Sequence, residues 1–105
     1  MGLLSKLFGK ADNNKELLEK IMNGALLVDV RTPAEFGQGH VKGSVNIPLN
    51  QILSQKSKFN STDCIIVFCQ SGNRSSQAKA LLEANGFRNI INGGSWQNIN
   101  LLLNK

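Results

Sequence analysis

The chain has 105 residues, which is the length of a single domain. Hydrophobic residues make up 41% of the sequence and charged residues 18%, a composition that excludes an intrinsically disordered chain. The net charge of +5 comes from basic residues that are spread along the chain with few aromatic neighbours, so the pattern typical of nucleic-acid binding is missing.

The first part of the chain predicts two helices that flank a buried strand. Apolar residues at helical spacing, followed by a glycine, predict a helix over 15–23. The apolar run 25–30 is rich in strand-forming residues and predicts a strand covered on both faces. Thr32, Pro33 and Glu35 then form a capping box with proline at the first helical position, which predicts a short helix that ends at the glycines beyond it.

Strands and helices continue to alternate through the rest of the chain. Three further strands are predicted from runs of apolar residues: 44–47, 64–68 and 87–91. Three further helices are predicted from helical spacing of apolar residues: 49–56, 75–85 and 95–103. Polar and glycine-rich residues predict turns at 60–63 and 92–94. This alternation is typical of an α/β fold with three layers, in which helices cover both faces of a parallel sheet.

The ends of the chain and its two cysteines predict a simple organisation. We expect residues 1–12 to form an N-terminal arm and residues 13–105 to form one domain. The sequence has no apolar run long enough to span a membrane and no recognisable targeting signal, so we expect a cytoplasmic monomer. Two cysteines and one histidine exclude a disulfide scaffold and a four-ligand zinc site, so we predict no metal and no cofactor.

The strongest chemical signal follows the strand at 64–68, where the sequence reads Cys-Gln-Ser-Gly-Asn-Arg-Ser from Cys69 to Ser75. Ligands of an α/β sheet bind beyond the carboxyl ends of its strands, and Cys69 stands at such an end. Backbone N–H groups of a tight loop, the start of a helix, and Arg74 all favour thiolate over thiol, so we expect the pKa of Cys69 to lie below about 8.5. The alternative is that Cys69 has only a structural role, as a small buried residue that ends a strand. The composition of the loop favours Cys69 as a nucleophile instead.

The length of this loop bears on the reaction. Arg74 follows Cys69 by five positions, which makes the loop one residue shorter than the C-x5-R loop of cysteine phosphatases. The smaller ring suits a single transferred atom better than a tetrahedral oxyanion. The short loop therefore makes a phosphatase or an arsenate reductase the less favoured enzyme class.

Three blocks of the sequence resemble the rhodanese family, and its small phage-shock-type members in particular. They are LLVDVRTPAEF with GHVKGSVNIPL, IIVFCQSGNRS, and GF with NGGSW, and together they cover roughly residues 25–100. The resemblance implies a five-stranded parallel sheet flanked by helices and a sulfurtransferase that holds sulfane sulfur as a persulfide on Cys69. It implies thiosulfate or a persulfide as donor, and cyanide, a thiol or a sulfur-carrier protein as acceptor. The loop residues that would cradle the persulfide are Gln70, Ser71, Gly72, Asn73, Arg74 and Ser75.

Two further points qualify the resemblance. Many relatives carry a second arginine directly after the cysteine, whereas this chain has Gln70, so one basic contact to an anionic donor is missing. A second class of function also stays open: a rhodanese module that binds a partner protein or senses oxidants, with little turnover of small donors.

A charged group at the end of the first strand is a candidate for the pocket rim or for structural support of the loops. Its members, with the one histidine, are Asp29, Arg31, Glu35 and His40. We favour an ion-pair and capping network for the first three. We favour a hydrogen-bonded structural role for His40, because sulfur transfer to a preformed thiolate needs no general base. We interpret Cys64 as a core residue, since odd spacing on a strand directs it and Cys69 to opposite faces.

Overall fold

The structure is a computed structural model that describes residues 14–60 and 62–104, so the predicted N-terminal arm, residues 1–12, lies outside the described residues. Residues 14–22 are helical and form α1. The elements that follow alternate along the chain: β1 (Leu26–Asp29), α2 (Pro33–Gln38), β2 (Val45–Asn46), β3 (Ile65–Cys69), α3 (Asn73–Ala84), β4 (Ile90–Ser95) and α4 (Trp96–Leu103). Within the described ranges, no helix is long and apolar enough to cross a bilayer.

The strands form one parallel sheet in the order β2-β1-β3-β4. All five residues of β3 are buried, as expected for a central strand covered on both faces. The predicted α/β class is confirmed. The family resemblance implied five strands, whereas the sheet over residues 14–60 and 62–104 has four. Four is also the number of strand-forming runs that the sequence itself contains in this part of the chain.

Alternate residues of β3 face different layers. Ile65, Val67 and Cys69 lie in one hydrophobic cluster, which α3 covers with Ala78 and Leu82. The side chains between them, at positions 66 and 68, lie in a second cluster that α1 and α4 cover. The sulfur of Cys69 therefore belongs to the side of the sheet on which α3 begins.

The predicted helix over 49–56 is wrong, and two short 3-10 turns stand there instead, Leu49–Gln51 and Lys56–Lys58. Ile52 is the single buried residue of 49–56, with the partly buried Leu49 packed beside it, so little apolar surface holds a regular helix against the sheet. The hydroxyl of Ser54 also donates to the carbonyl oxygen of Gln51 at 3.0 Å, a local bond of the kind that competes with helix formation.

The predicted turn at 92–94 is also wrong, because β4 runs through it. Asn92 pairs with Val67 and Gly94 pairs with Phe68, so Gly93 is an extra residue that forms a bulge. A Cβ atom on Gly93 would lie 2.7 Å from Cδ1 of Ile99, which shows how closely α4 packs on this strand. Gly93 is therefore needed for close packing inside the sheet, while Gly94 has φ of +80°, a conformation that favours glycine. The strand predicted over 87–91 begins and ends later, as β4 (Ile90–Ser95), with ends shifted by three and four residues. The other predicted helices and strands are present, with ends that differ by one or two residues.

Candidate active site

Cys69 is the last residue of β3, and its side chain is only 1% exposed. The chain turns at once into α3, and Gly72 stands before the helix with φ of +101°, a conformation that favours glycine. This tight turn directs backbone N–H groups back towards the end of the strand. The strand, loop and helix that the sequence predicted around Cys69 are all present.

The sulfur of Cys69 receives hydrogen bonds from the loop. The backbone N–H of Gly72 donates to Sγ at 3.0 Å, and the hydroxyl oxygen of Ser75 lies 3.5 Å from it. Burial alone raises the pKa of this thiol, but hydrogen bonds from Ser75, Ser71 and Gly72 outweigh it and lower the pKa below its usual range. Cys69 therefore resides in an environment that stabilises a thiolate.

Asn92 is a member of this site that the sequence did not predict. It lies opposite Val67 in the sheet, so its side chain points to the face that carries Cys69. Its Oδ1 accepts a hydrogen bond from the Ser75 hydroxyl at 2.7 Å, and its Nδ2 donates to the carbonyl oxygen of Gly72 at 3.2 Å. The sequence does carry a signal for this residue, because Asn92 follows Ile90 by two positions. If 90–92 is taken as a strand, Asn92 lies on the same face of the sheet as the buried Ile90.

Arg74 makes a two-pronged ion pair with Glu35, which comes from α2. The guanidinium nitrogens lie 2.7 Å and 2.9 Å from the carboxylate oxygens. This contact, more than any other, lowers the pKa of Glu35 to about 2. Glu35 also completes the predicted capping box of α2 through the backbone N–H of Thr32. Among the described residues, the side-chain hydrogen bonds of Arg74 go to Glu35 rather than to the cysteine.

Asp29 and Arg31 form a second ion pair, which is almost fully buried. Nε and Nη2 of Arg31 donate to the Asp29 carboxylate at 2.9 Å and 2.7 Å, and Nη2 also donates to the carbonyl oxygen of Gly39 at 2.8 Å. These contacts join the end of β1 to the C-terminal end of α2, where Gly39 stands. His40 is exposed and stacks on Phe36, with its Nδ1 placed 2.9 Å from the carbonyl oxygen of that residue.

Gln70 forms part of the rim of the site, and its side chain contacts α4. The indole N–H of Trp96 donates to Oε1 of Gln70 at 3.3 Å, and Nε2 of Gln70 lies 3.4 Å from Oε1 of Gln97. The ring of Trp96 also lies under Arg31, with 4.6 Å between Cζ and the ring centroid. The rim beside Cys69 thus consists of the uncharged side chains of Gln70, Gln97 and Trp96. The buried pair of Asp29 and Arg31 lies next to the Trp96 ring.

The loop also borders an open cavity of about 750 Å³ between α3 and α4. Ser71, Gly72 and Asn73 contribute to it from the loop, and Asn92 from β4, so polar side chains and backbone dominate this wall. In the described part of the chain, no three histidine, cysteine or acidic side chains lie close enough together to hold a metal ion.

Residues 13–100 match the family model of the rhodanese-like domain. The chain belongs to the rhodanese family. Its α/β sheet, with Cys69 at the end of the central strand, is the arrangement that the sequence resemblance implied, apart from the strand count.

Several known proteins are similar to this rhodanese. The thiosulfate sulfurtransferase PspE of Escherichia coli (strain K12) is 34% identical over 74 residues, which are 69% of this chain and 71% of that protein. The uncharacterized protein YqhL of Bacillus subtilis (strain 168) is 40% identical over 68 residues, 65% of this chain, and the match spans 54% of that protein's length. The structure of the human single-domain sulfurtransferase TSTD1 superimposes with a TM-score of 0.73 at 28% identity, covering 87% of this chain and 93% of that one. The prediction of a rhodanese-type sulfurtransferase agrees with the family match and with the names of PspE and TSTD1.

Proposed function

We propose that this rhodanese is a sulfurtransferase that carries sulfane sulfur on Cys69 as a persulfide. The observation that supports this most directly is the buried sulfur of Cys69 with the N–H of Gly72 at 3.0 Å and the Ser75 hydroxyl at 3.5 Å. Donors in these positions stabilise the attacking thiolate. They also stabilise the negative charge on a sulfur atom bound to it.

The reaction divides into two displacements. In the first, the Cys69 thiolate attacks the outer sulfur of the donor, the S–S bond of the donor breaks, and sulfite leaves from thiosulfate or a thiolate leaves from a persulfide. Cys69 now carries a persulfide whose terminal sulfur is negatively charged. In the second, cyanide or an acceptor thiolate attacks that terminal sulfur, and the Cys69 thiolate departs with the electron pair of the broken bond. Neither half needs a metal or an external reductant.

The loop serves the intermediate through its backbone and hydroxyl groups, from Gln70 to Ser75. Arg74 adds positive charge beside the loop, although its pairing with Glu35 leaves that charge largely compensated. Gln70 adds no charge at all. This balance favours donors with little negative charge, such as a persulfide, over the dianion thiosulfate. A thiol, cyanide or a sulfur-carrier protein remains the proposed acceptor, and cytoplasmic location, monomeric state and the single domain over 13–105 remain predictions.

The test is the intact mass of the protein after incubation with thiosulfate and, in parallel, with a low-molecular-weight persulfide. Wild-type protein is expected to gain the mass of one sulfur atom and to lose it when cyanide is added, with thiocyanate formed in equal amount. Cys69→Ser is expected to gain nothing. Cys64→Ser is the matched control and is expected to behave as the wild type, because Cys64 lies just before the start of β3, away from the end that carries Cys69.

Each outcome has a defined meaning. Gain from the persulfide but not from thiosulfate identifies the donor class and keeps the proposed reaction. No gain from either donor, with Cys69 shown to be reduced and open to alkylation, contradicts the proposal and leaves a module that binds a partner or senses oxidants.

A further inference from the structure

The side chain of Asn92 hydrogen bonds to Gly72 and Ser75, two residues that also contact the sulfur of Cys69. Its Oδ1 accepts from the Ser75 hydroxyl at 2.7 Å, and its Nδ2 donates to the carbonyl oxygen of Gly72 at 3.2 Å. Gly72 and Ser75 both lie within hydrogen-bond distance of Sγ, and Ser71 adds a further backbone hydrogen bond. One carboxamide on β4 therefore ties down the loop on two sides of the cysteine.

The orientation of this carboxamide is fixed by a third contact. The backbone N–H of Gly94 donates to Oδ1 of Asn92 at 3.0 Å. Since an amide N–H can meet only the oxygen of the carboxamide, Nδ2 must face the carbonyl oxygen of Gly72. The bulge at Gly93 brings Gly94 into this position, so the same irregularity that admits α4 also orients Asn92.

We propose that Asn92 is a positioning residue for the cysteine: its carboxamide holds Gly72, through the carbonyl oxygen of that residue, and the hydroxyl oxygen of Ser75 beside the sulfur. The proposal rests on the proposed function, because Cys69 is taken as the sulfur carrier. Asn92 itself makes no contact with the sulfur, so it acts through the other two residues.

The hydroxyl of Ser75 has one hydrogen and two neighbours that can accept it. With Cys69 protonated, that hydrogen points to Oδ1 of Asn92, and the thiol donates to the hydroxyl oxygen. Once the thiol has lost its proton to solvent, the hydroxyl hydrogen turns to the thiolate. Oδ1 of Asn92 then keeps the N–H of Gly94 as its donor. Asn92 thus holds the hydroxyl oxygen in the thiol state, and its Nδ2 bond to the carbonyl oxygen of Gly72 holds the loop in both states. Neither state leaves a buried polar atom without a partner.

The charged groups around the cysteine come from other elements. They are Arg74 on α3, its partner Glu35 on α2, and Asp29 with Arg31 at the end of β1. Asn92 on β4 is neutral, so its replacement by another neutral residue leaves this set of charges intact. A change in the titration of Cys69 after such a replacement then reports on hydrogen-bond geometry rather than on charge.

The experiment measures the rate of alkylation of each cysteine by iodoacetamide as a function of pH, read by mass spectrometry of the separate peptides. Asn92→Ala is expected to move the midpoint for Cys69 to higher pH and to slow its alkylation at neutral pH by about threefold to tenfold. Cys64 in the same molecules reports on the reagent and is expected to be unaffected. The variant Asn98→Ala removes a carboxamide that bonds to Asn14 instead of the loop, and it is expected to match the wild type.

A gentler variant covers the case in which Asn92→Ala fails to fold. In Asn92→Ser the hydroxyl still reaches the N–H of Gly94, two residues on, but is too short to bridge to α3. It is expected to keep the bulge and to show the same shift for Cys69. The double variant Ser75→Ala with Asn92→Ser is expected to shift the midpoint by less than the sum of the single changes, because both act through one hydroxyl.

A purely structural role for Asn92 predicts a different pattern: a lower melting temperature with an unchanged midpoint for Cys69. That result overturns the proposal. The alkylation profile needs no sulfur donor, so it can be obtained even if no persulfide forms. Failure of the proposed function and failure of the positioning role are therefore seen in separate measurements.

Discussion

Two arginine–carboxylate pairs stand near the cysteine, and they differ in burial rather than in bond length. Arg31 with Asp29 and Arg74 with Glu35 both have a shortest N–O distance of 2.7 Å. The side chains of the first pair are 3% and 0% exposed, while those of the second are 33% and 34% exposed. The comparison teaches that the same kind of ion pair has two uses: the buried pair of Arg31 and Asp29 supports the fold, and the exposed pair of Arg74 and Glu35 sets the electrostatic potential beside Cys69.

Solvent explains the difference. A buried charge that loses its partner cannot be rehydrated, so breaking such a pair costs about 3–5 kcal/mol of stability. A pair that is one-third exposed is screened by water, and its loss costs roughly 0–1 kcal/mol. The exposed pair is also the one that joins α2 to the first turn of α3, directly beside the loop. Because this pair is partly exposed and lies beside the loop, Arg74 is accessible to an anion that binds there.

The largest expected effect comes from breaking the buried pair. Arg31→Met leaves the Asp29 carboxylate buried without its partner and removes the hydrogen bond to Gly39. We expect the free energy of unfolding to fall by about 3–5 kcal/mol, measured by urea denaturation. Arg88→Met, at an exposed arginine, is the control and is expected to change it by less than about 0.5 kcal/mol. A loss for Arg31→Met as small as that of the control would show that this pair does not support the fold.

The exposed pair is expected to affect sulfur loading more than stability. Arg74→Met removes a positive charge beside the loop and leaves Glu35 unpaired. A unit charge several ångströms from the thiosulfate dianion in water contributes about 1 kcal/mol, so loading of Cys69 by thiosulfate is expected to slow about fivefold. The rate of mass gain measures this, with Arg88→Met again as control. Equal loading rates for Arg74→Met and Arg88→Met would show that the charge of Arg74 does not contribute to sulfur loading.

The smallest effect is a pH dependence of stability that comes from Glu35. Its pKa is lowered from 4.5 to about 2 in the folded protein, so the stabilisation is fully present above pH 4.5 and is lost as the pH falls towards about 2. Because the pair is one-third exposed, we expect the loss to stay below about 1 kcal/mol.

The measurement is the difference in unfolding free energy between wild type and Glu35→Gln at several pH values. This difference is expected to shrink as the pH falls from 4.5 to about 2. The exposed Glu83 provides the control variant Glu83→Gln, for which a smaller change is expected. A constant difference for Glu35→Gln across this range would mean that the carboxylate gains nothing from Arg74.

Local patterns in the sequence predicted the parts of the fold that local physics controls. The capping box of Thr32 and Glu35 is present because its bonds join residues three positions apart. The helix predicted over 49–56 is wrong because helical spacing does not reveal that Ile52 is the only residue of the segment that becomes fully buried. The glycines at 93 and 94 suggest a turn by their composition, whereas the need for glycine at Gly93 comes from close packing against Ile99 on α4, which lies further along the chain.

The sequence by itself determined the strand that ends at Cys69, the tight loop with Gly72 and the helix that starts beyond it, because these features depend on neighbours along the chain. Only the tertiary structure decided which distant residues complete the site. Glu35 reaches Arg74 across 39 positions and Asn92 reaches Ser75 across 17, as α2 and β4 come to lie beside α3. Such contacts depend on strand order and on the register set by the bulge at Gly93, and neither is encoded in the spacing of nearby residues.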